Sequence, residues 1–193
     1  MNDIENFRSI NQIEKDIIMK SLSAISSNIF SDFQDLKNSI YISIEKRIET
    51  NNFPKIYLIS SELKQILKNP NIYDYINLVG LYFGFIKRGE FFLSLEGAEF
   101  LYARGLIPNL VQVHVNEGGE KSVLYGNNIL KNMVVKKSYN FKENSFLIIF
   151  NKEEEIIALG RAIIDSNQIQ NLKPEDLIAI NLSDKGIYLR EKQ

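Results

Sequence analysis

The sequence has no cysteine and no tryptophan, and its 193 residues include one histidine and four prolines. The lack of cysteine excludes disulfides, thiolate metal sites, iron–sulfur clusters and a cysteine nucleophile. The single histidine, His114, is too few for a histidine-based metal site, so we expect no bound metal. Hydrophobic residues make up 45% and charged residues 24% of the chain, which predicts a folded protein rather than a disordered one.

Sequence motifs of the common enzyme classes are also absent. There is no P-loop, no G-x-G-x-x-G turn after a strand, no G-x-S-x-G elbow and no H-E-x-x-H helix. The run Glu153-Glu154-Glu155 is typical of a solvated turn between two strands, which we favour over an acid/base pair. We therefore predict that the protein is not an enzyme, with no catalytic residue and no cofactor.

Charge and hydropathy exclude two further classes of binding. The 23 basic and 24 acidic residues give a net charge of −1, so no global field attracts nucleic acid and a polyanion site must be a local patch. The longest apolar run, Leu78–Ile86, has about half of the roughly 18 residues that a membrane-spanning helix needs, so we expect no membrane association.

The first part of the chain predicts a helix followed by antiparallel hairpins. Isoleucines and leucines recur at a helical period from Ile10 to Ile29, with Ser9 and Gln12 as a capping box. The predicted elements after this helix are strands at 40–44 and 56–60, a helix at 61–68, strands at 76–87 and 90–93 around an Arg88-Gly89 turn, and a helix at 95–103 capped by Ser94. The strand around Leu78–Ile86 is apolar on both faces, so one face is either covered internally, which we favour, or used for protein docking.

The pattern breaks around Gly105 and Pro108, where we place a domain boundary, and a β-rich region follows. Valines at 111, 113 and 115 alternate with Gln112 and His114, which predicts that His114 lies at the surface or is only partly covered. The remaining predicted elements are a helix at 121–125 and strands at 129–135, 146–150, 156–164, 177–181 and 187–190, together forming a small barrel. The fold class predicted is therefore α+β.

Two strings in the second region carry a resemblance to a known family. GGEKSVLYGNNILK at 118–131 and IIALGRA at 156–162 resemble a PUA domain, the RNA-binding module named for pseudouridine synthases and archaeosine transglycosylases. The first string is particularly similar to the PUA domain of the Nip-seven family of large-ribosomal-subunit biogenesis proteins. Upstream, YLIS at 57–60, LYFGF at 81–85 and FFL at 91–93 resemble the strands of that family's first domain in the same order.

This resemblance implies a helix-led α/β pre-PUA domain at residues 1–107 and a PUA-like RNA-binding barrel at residues 108–193. It also implies a non-catalytic factor that binds precursor or mature ribosomal RNA during large-subunit assembly, with other assembly proteins docking on the N-terminal domain. The expected location is cytoplasmic, or nucleolar if the source cell has a nucleus. Two alternatives stay open: a subunit of an RNA-modification enzyme, and a protein–protein adaptor without RNA affinity.

The candidate RNA-binding residues combine cations, glycines and two groups that recognise bases. Glycines let the backbone approach phosphate closely, Tyr125 is either a stacking platform or a core residue, and Asn127 is suited to bonding a base edge. Relatives often have several basic residues after the glycine that corresponds to Gly160, whereas here Arg161 and Lys173 are the only ones before Pro174. The alternative is that the lysines only solvate the barrel. The predicted site consists of Gly119, Lys121, Tyr125, Gly126, Asn127, Lys131, Lys136, Arg161, Lys173 and Lys185.

Overall fold

The computed structural model describes residues 7–25, 39–44, 53–67, 79–108, 111–135 and 140–190. The chain divides into two compact units, Met1–Phe100 and Leu101–Gln193. Among these residues, each unit contains one five-stranded sheet. Within the described ranges, no helix has the length and apolar character needed to cross a membrane.

The sheet of the first unit has its strands in chain order, and every pair of neighbours is antiparallel. The two hairpins predicted from alternation are thereby confirmed, and a short strand precedes the predicted first helix. The strands are β1 (Phe7–Ser9), β2 (Ile40–Ser43), β3 (Lys55–Leu58), β4 (Leu81–Lys87) and β5 (Glu90–Leu93). The helices are α1 (Gln12–Ile25), α2 (Ser61–Leu67) and α3 (Leu95–Ala103), and the division between the units falls within α3.

The start of α1 differs from the prediction. Ser9 belongs to β1, and the capping box is formed two residues later by Asn11 and Glu14. The Glu14 N–H donates to Asn11 Oδ1 at 2.9 Å, and the Asn11 N–H donates to Glu14 Oε2 at 2.8 Å. Arg8 adds two hydrogen bonds to the same carboxylate, at 2.9 and 2.7 Å, and these lower the pKa of Glu14. Asparagine is as good an N-cap as serine, so α1 begins after Asn11 once Ser9 is part of β1.

Two turn predictions in this unit are confirmed. Arg88 and Gly89 both have positive φ, 51° and 77°, which is the type I′ geometry that matches the twist of a two-residue hairpin. Ser94 caps α3, because its Oγ accepts the Gly97 N–H at 2.9 Å. The predicted inward residues Leu95, Ala98 and Leu101 are buried.

The two faces of this sheet differ in composition. One face contributes buried residues such as Ile42, Ile56 and Phe83, and α1 lies against β5, where the Phe91 N–H donates to Ser21 Oγ at 3.1 Å. The opposite face is aromatic, with ring pairs packed across neighbouring strands. These pairs are Phe7–Tyr41, Tyr57–Tyr82, Phe53–Phe85 and Phe85–Phe92. Most of these rings are half-buried. Aromatic residues of this sheet therefore lie on both faces: Phe83 and Phe91 are in the core, and the pairs named above are on the opposite face.

The sheet of the second unit curls into a small barrel, as predicted. Its order is β6-β8-β9-β10-β7; β6 and β8 are parallel and the other pairs antiparallel. A bridge between Val115 and Val134 connects the end of β6 to the segment after β7. The strands are β6 (Gln112–His114), β7 (Ile129–Leu130), β8 (Phe146–Phe150), β9 (Ile156–Ala162) and β10 (Leu177–Asp184). The helices are α4 (Glu117–Leu124) and α5 (Ile187–Arg190), with 3₁₀ turns at Lys131–Met133 and Ser166–Asn171.

Three elements of the second unit differ from the prediction. The segment 187–190 is a helical turn and not a strand, because the Arg190 N–H donates to Gly186 O at 3.1 Å. The predicted strand 129–135 is a strand only at Ile129–Leu130. The helix predicted at 121–125 begins four residues earlier, at Glu117. The barrel interior is filled by fully buried aliphatic residues including Val123, Leu147, Ile149 and Ile178.

Candidate nucleic-acid interface

The predicted site is built around α4, which Asn116 starts. Asn116 Oδ1 accepts the Gly119 N–H at 2.8 Å, and Asn116 Nδ2 donates to Asn132 O at 2.8 Å. The first bond satisfies one of the N–H groups that lack a partner at a helix start. This cap offsets the low helix propensity of Gly118-Gly119, which is why the helix begins earlier than the sequence pattern predicts.

The two glycines of α4 have different surroundings. Gly119 is buried, and a Cβ there would lie 2.7 Å from Met133 Cβ and 3.0 Å from Val115 Cβ. Gly118 is exposed, and a Cβ there would approach only Asn116 Oδ1, at 3.4 Å. Close packing of the helix explains the glycine at 119, while position 118 leaves the backbone open to solvent.

The end of α4 presents Tyr125 and Asn127 to solvent. Gly126 has a φ of +87°, and the Gly126 N–H donates to Val123 O at 2.8 Å. The Asn127 N–H donates to Ser122 O at 3.1 Å, which completes a Schellman motif with glycine in the left-handed position. Tyr125 is 74% exposed, so the alternative that it is a core residue is wrong. We refer to residues 124–127 below as the α4 terminal turn.

Two of the predicted lysines accompany this turn. Lys121 is exposed and lies one helical turn before Tyr125, so the two side chains share a face of α4. Lys185 is in the turn between β10 and α5, where its N–H donates to Ile157 O at 2.9 Å. Gly186 of the same turn packs against Leu124 O at the end of α4, and Arg190 of α5 donates to that carbonyl. The structure therefore brings together Lys121, Tyr125, Gly126, Asn127 and the turn that contains Lys185.

Lys131 and Lys173 form a separate group. The Lys131 ammonium donates to Gln170 O at 3.2 Å and to Leu172 O, carbonyls at the end of a 3₁₀ turn. The Lys131 N–H donates to Asp176 O at 2.9 Å. Lys173 is exposed, and its N–H donates to Asp176 Oδ2 at 2.7 Å. The contacts of Lys131 are those of a structural lysine, and an acidic neighbour accompanies both residues. Lys136 lies outside the described residues.

Arg161 lies on the outer face of the barrel sheet. Its strand neighbours in register are Phe146 and Ile180, whereas the adjacent Ala162 points into the core. The Arg161 side chain is half-buried and, within the described part of the chain, makes no hydrogen bond or ion pair. An arginine with these properties is available for a bidentate contact with phosphate.

Other cations of this unit are paired with acids. Lys142 lies 3.1 Å from Asp165, and Lys152 lies 3.5 Å from Glu117. The Glu143 N–H and the Lys142 ammonium lower the pKa of Asp165. Lys142 and Lys152 are thus partly neutralised, and they serve as comparison residues for the cations near α4.

The only histidine is buried, contrary to the prediction. His114 is 5% exposed and stacks on Phe150 with ring centroids 5.1 Å apart. Its Nε2 lies 2.8 Å from Glu154 Oε2, at the Glu153-Glu154-Glu155 turn, which is exposed as predicted. The ring of Tyr102, which precedes the barrel in sequence, packs on Phe150. The alternation of residues within β6 could not indicate that Phe150 and the turn at Glu154 bury His114.

Sequence reasoning missed the acidic partner of Arg190. Asp184 is buried, and its carboxylate accepts two hydrogen bonds from the guanidinium, at 3.0 and 2.9 Å. This pair raises the pKa of Arg190 above its ordinary value. The run Asp184-Lys185-Gly186 is typical of a turn, which could have indicated that the chain folds back on Asp184. The prediction of a strand at 187–190 instead extended the chain and separated Arg190 from Asp184.

Comparison with known proteins identifies the family. Residues 111–193 match the family described as the UPF0113 PUA domain. A UPF0113 protein of Archaeoglobus fulgidus is 31% identical over 187 residues, which cover 97% of this chain and 96% of that protein. The chain belongs to the UPF0113 family. The resemblance of 118–131 and 156–162 to a PUA domain is confirmed.

A second relative and a solved structure extend the match. A protein of Dictyostelium discoideum named "60S ribosome subunit biogenesis protein NIP7 homolog" is 27% identical over 148 residues, covering 76% of this chain and 78% of that protein. A conserved PUA domain protein of Thermoplasma acidophilum superposes with a TM-score of 0.55 at 15% identity, covering 96% of this chain and 98% of that one. The predicted α+β fold class and the resemblance to the Nip-seven family are confirmed.

Proposed function

We propose that this protein is a non-catalytic RNA-binding factor of large-subunit assembly that binds precursor ribosomal RNA through residues 108–193. The name of the Dictyostelium relative, a 60S subunit biogenesis protein, supports the assembly role. The PUA match over residues 111–193 supports RNA as the ligand. The proposed site of action is the cytoplasm, or the nucleolus where the cell has a nucleus.

The observation that carries the proposal is the exposed tyrosine at the end of α4. A tyrosine that is 74% exposed gains little from burial, yet its ring offers a flat face to an unpaired base. Lys121 on the same helix face supplies a charge for phosphate, and Asn127 supplies an amide for a base edge. These groups fit single-stranded RNA better than a duplex, because the bases of a duplex are already stacked.

The charge of the site is local and modest. The net charge of the chain is −1, and the second unit has an acidic neighbour beside several of its lysines. The proposal therefore assigns phosphate contacts to Lys121, Lys185 and Arg161, with Lys173 as a further one. Few phosphate contacts predict a shallow dependence of affinity on salt, since each contributes about 0.7 to the slope for a single strand.

The experiment is a titration of ribosomal RNA fragments with the full chain at several salt concentrations. We expect Tyr125→Ala to weaken binding by about tenfold or more, because stacking contributes roughly 1–3 kcal/mol per base, and to leave the salt slope unchanged. Lys121→Ala is expected to reduce the slope by about 0.7. The matched control Lys142→Ala, which removes a lysine already paired with Asp165, is expected to bind as the wild type does. Failure of the wild type to retain any RNA would refute the proposal.

Arg161 and Lys173 are tested as a pair, because they are the basic residues between Gly160 and Pro174. Replacing both with alanine is expected to weaken RNA binding and to flatten its salt dependence. Unchanged affinity at matched salt would remove both residues from the proposed site.

The absence of catalysis is part of the same proposal. The described residues contain no group of three or more histidine, aspartate or glutamate side chains placed to hold a metal ion. The proposal expects no altered nucleoside after incubation of the protein with ribosomal RNA and candidate cofactors. Detection of a modified nucleoside by mass spectrometry would contradict it and favour an RNA-modifying role.

We also propose that the first unit, within residues 1–107, is the docking domain for other assembly proteins. Its aromatic sheet face supports this, because half-buried rings such as Phe85 and Phe92 provide the contacts that are enriched at protein interfaces. A photo-crosslinking residue at position 92 is expected to capture an assembly protein. The same residue at the exposed position Gln12 on α1 is the control. Equal capture from both positions would contradict docking on the aromatic face.

A further inference from the structure

The α4 terminal turn is held by side chains from a distant part of the chain. A helix end leaves its last carbonyls without partners inside the helix, and the Schellman bonds satisfy those of Ser122 and Val123. The carbonyl of Leu124 instead accepts a bond from Arg190 Nη1, across 66 positions of sequence. The turn is therefore fixed both by its own backbone and by α5.

A buried carboxylate orients Arg190 toward this carbonyl. The Asp184 side chain is 5% exposed and accepts hydrogen bonds from both terminal nitrogens of the guanidinium, at 3.0 and 2.9 Å. Such a two-bond pair fixes the plane of the guanidinium as well as its position. Two glycines make room for it: a Cβ at Gly126 would lie 3.2 Å from Arg190 Nη2, and a Cβ at Gly186 would lie 1.8 Å from Leu124 O.

Asn181 holds the same turn from the side of β10. Its Nδ2 lies 3.0 Å from Val123 O and 3.2 Å from Asn127 O, both within hydrogen-bonding distance. The same Nδ2 lies 3.2 Å from Asp184 Oδ2, so the carboxylate contacts both donors. The Asn181 N–H also donates to Asn128 Oδ1 at 3.0 Å. Asn181, Asp184 and Arg190 thus form one network, which we call the turn clamp.

The turn clamp fixes the backbone of the turn without covering its side chains. The Tyr125 ring stays exposed, and among the described residues the side-chain amide of Asn127 donates only to the nearby Ser122 Oγ, at 3.2 Å. A side chain that is exposed but attached to a fixed backbone is arranged for a ligand in advance, so binding loses less conformational entropy. The buried Asp184 therefore helps to fix the backbone that positions two exposed side chains, Tyr125 and Asn127.

We propose that Asn181, Asp184 and Arg190 are positioning residues that hold Tyr125 and Asn127 in the arrangement that binds an unpaired stretch of RNA. This inference rests on the proposed function. The clamp residues act through the turn and need no RNA contact of their own. When the clamp is lost, the turn occupies its binding arrangement for only part of the time, and the affinity falls by that fraction.

Asp184→Asn tests this inference because positioning and net charge predict opposite results. The substitution keeps the shape of the side chain and removes one negative charge. If charge alone governed binding, a more positive protein would bind RNA more tightly. Positioning predicts binding about tenfold weaker, with an unchanged salt slope, since the number of phosphate contacts stays the same.

The matched control is Asp165→Asn, which also frees a cation from an aspartate, here Lys142, in a different part of the barrel. Its affinity is expected to equal or slightly exceed that of the wild type. Arg190→Lys is the second variant, because it keeps the charge and loses the two-bond contact. We expect it to weaken binding as well. If Asp184→Asn fails to fold by circular dichroism, Arg190→Lys decides the test.

A double-mutant cycle separates positioning from a general loss of stability. Because the clamp acts partly through Tyr125, the effect of Asp184→Asn on affinity is expected to shrink severalfold in a Tyr125→Ala background. Hydrogen exchange without RNA provides an independent readout: amides in residues 122–128 are expected to exchange faster in Asp184→Asn, and those of β8 at the wild-type rate.

The outcomes also separate this inference from the proposed function. If the wild type binds no RNA, the proposed function fails, whatever the exchange rates show. If the wild type binds and Tyr125→Ala weakens it, but Asp184→Asn and Arg190→Lys bind as the wild type does, the positioning role fails while the proposed function stands. Tighter binding by Asp184→Asn would likewise overturn the positioning role, because it would show that charge governs affinity.

Discussion

The two adjacent glycines of α4 allow one substitution, glycine to alanine, to be tested with opposite expected signs. In a helix, alanine is more favourable than glycine by about 1 kcal/mol, because glycine loses more backbone entropy on folding. At Gly118 the added methyl meets only Asn116 Oδ1 at 3.4 Å, which is an ordinary contact. Gly118→Ala is therefore expected to stabilise the second unit by up to about 1 kcal/mol.

At Gly119 the same methyl would lie 2.7 Å from Met133 Cβ and 3.0 Å from Val115 Cβ. Both contacts are with Cβ atoms, which move only with their backbone, so α4 itself must shift. Overpacking of this kind costs about 1–3 kcal/mol, and the gain in helix propensity offsets part of it. We expect Gly119→Ala to destabilise the second unit by about 1–2 kcal/mol.

Hydrogen exchange of the α4 amides in the full chain measures both effects, because it reports opening of the second unit without requiring the whole protein to unfold in one step. A change of about 1.4 kcal/mol alters the exchange rate of globally protected amides tenfold. Exchange is expected to slow in Gly118→Ala and to accelerate in Gly119→Ala. Equal shifts in both variants would refute the assignment of Gly119 to close packing, and reduced RNA affinity in Gly118→Ala alone would identify a backbone approach of RNA at position 118.

Three further predictions concern stability. Ile149→Ala, which leaves a cavity at a fully buried position of the barrel core, is expected to cost about 3 kcal/mol, measured by exchange of the β8 amides. Arg88→Asn places an Asn-Gly pair in a type I′ turn where Arg88 now has a φ of 51°, and is expected to raise the melting temperature by about 1–3 °C. Glu14→Gln removes a carboxylate whose pKa is lowered by Arg8. The stabilisation from Glu14 is fully present above its unfolded pKa of about 4.3 and is lost as the pH falls through the lower folded pKa. The variant is therefore expected to be less stable at neutral pH and to lose less stability during acid titration, followed by circular dichroism.

The sequence predicted those turns and helix caps that depend only on interactions between neighbouring residues. The Arg88-Gly89 turn and the Ser94 cap follow from the few residues involved, and the structure contains both. The helical turn at 187–190 was missed because isoleucine, tyrosine and leucine in sequence favour a strand. Its first hydrogen bond, to Gly186 O, depends on a glycine that packs against Leu124 O from another element.

Contacts between distant segments could not be predicted from a single sequence. The burial of His114 depends on Phe150 and on the ring of Tyr102 beside it, and neither is near in sequence. The bonds from the turn clamp to residues 123–128 span 53 to 66 positions of sequence, and nothing in a polar Asn181 or a charged Asp184 indicates their partners. The string at 118–131 indicated where to propose a site, whereas the network that holds the α4 terminal turn could not be inferred from it.

The parallel pairing of β6 with β8 affects the order in which the barrel can fold during synthesis. Gln112 lies opposite Ile148, so β6 can pair with β8 only after more than thirty further residues have been synthesised. Until β8 has been synthesised, the valines in and next to β6 lack the strand that pairs with β6 in the folded barrel. A nascent chain stalled before Phe146 therefore exposes these valines to solvent and to other proteins. A long separation between paired strands slows folding, so we expect the pairing of β6 with β8 to form later than the hairpin of β8 and β9.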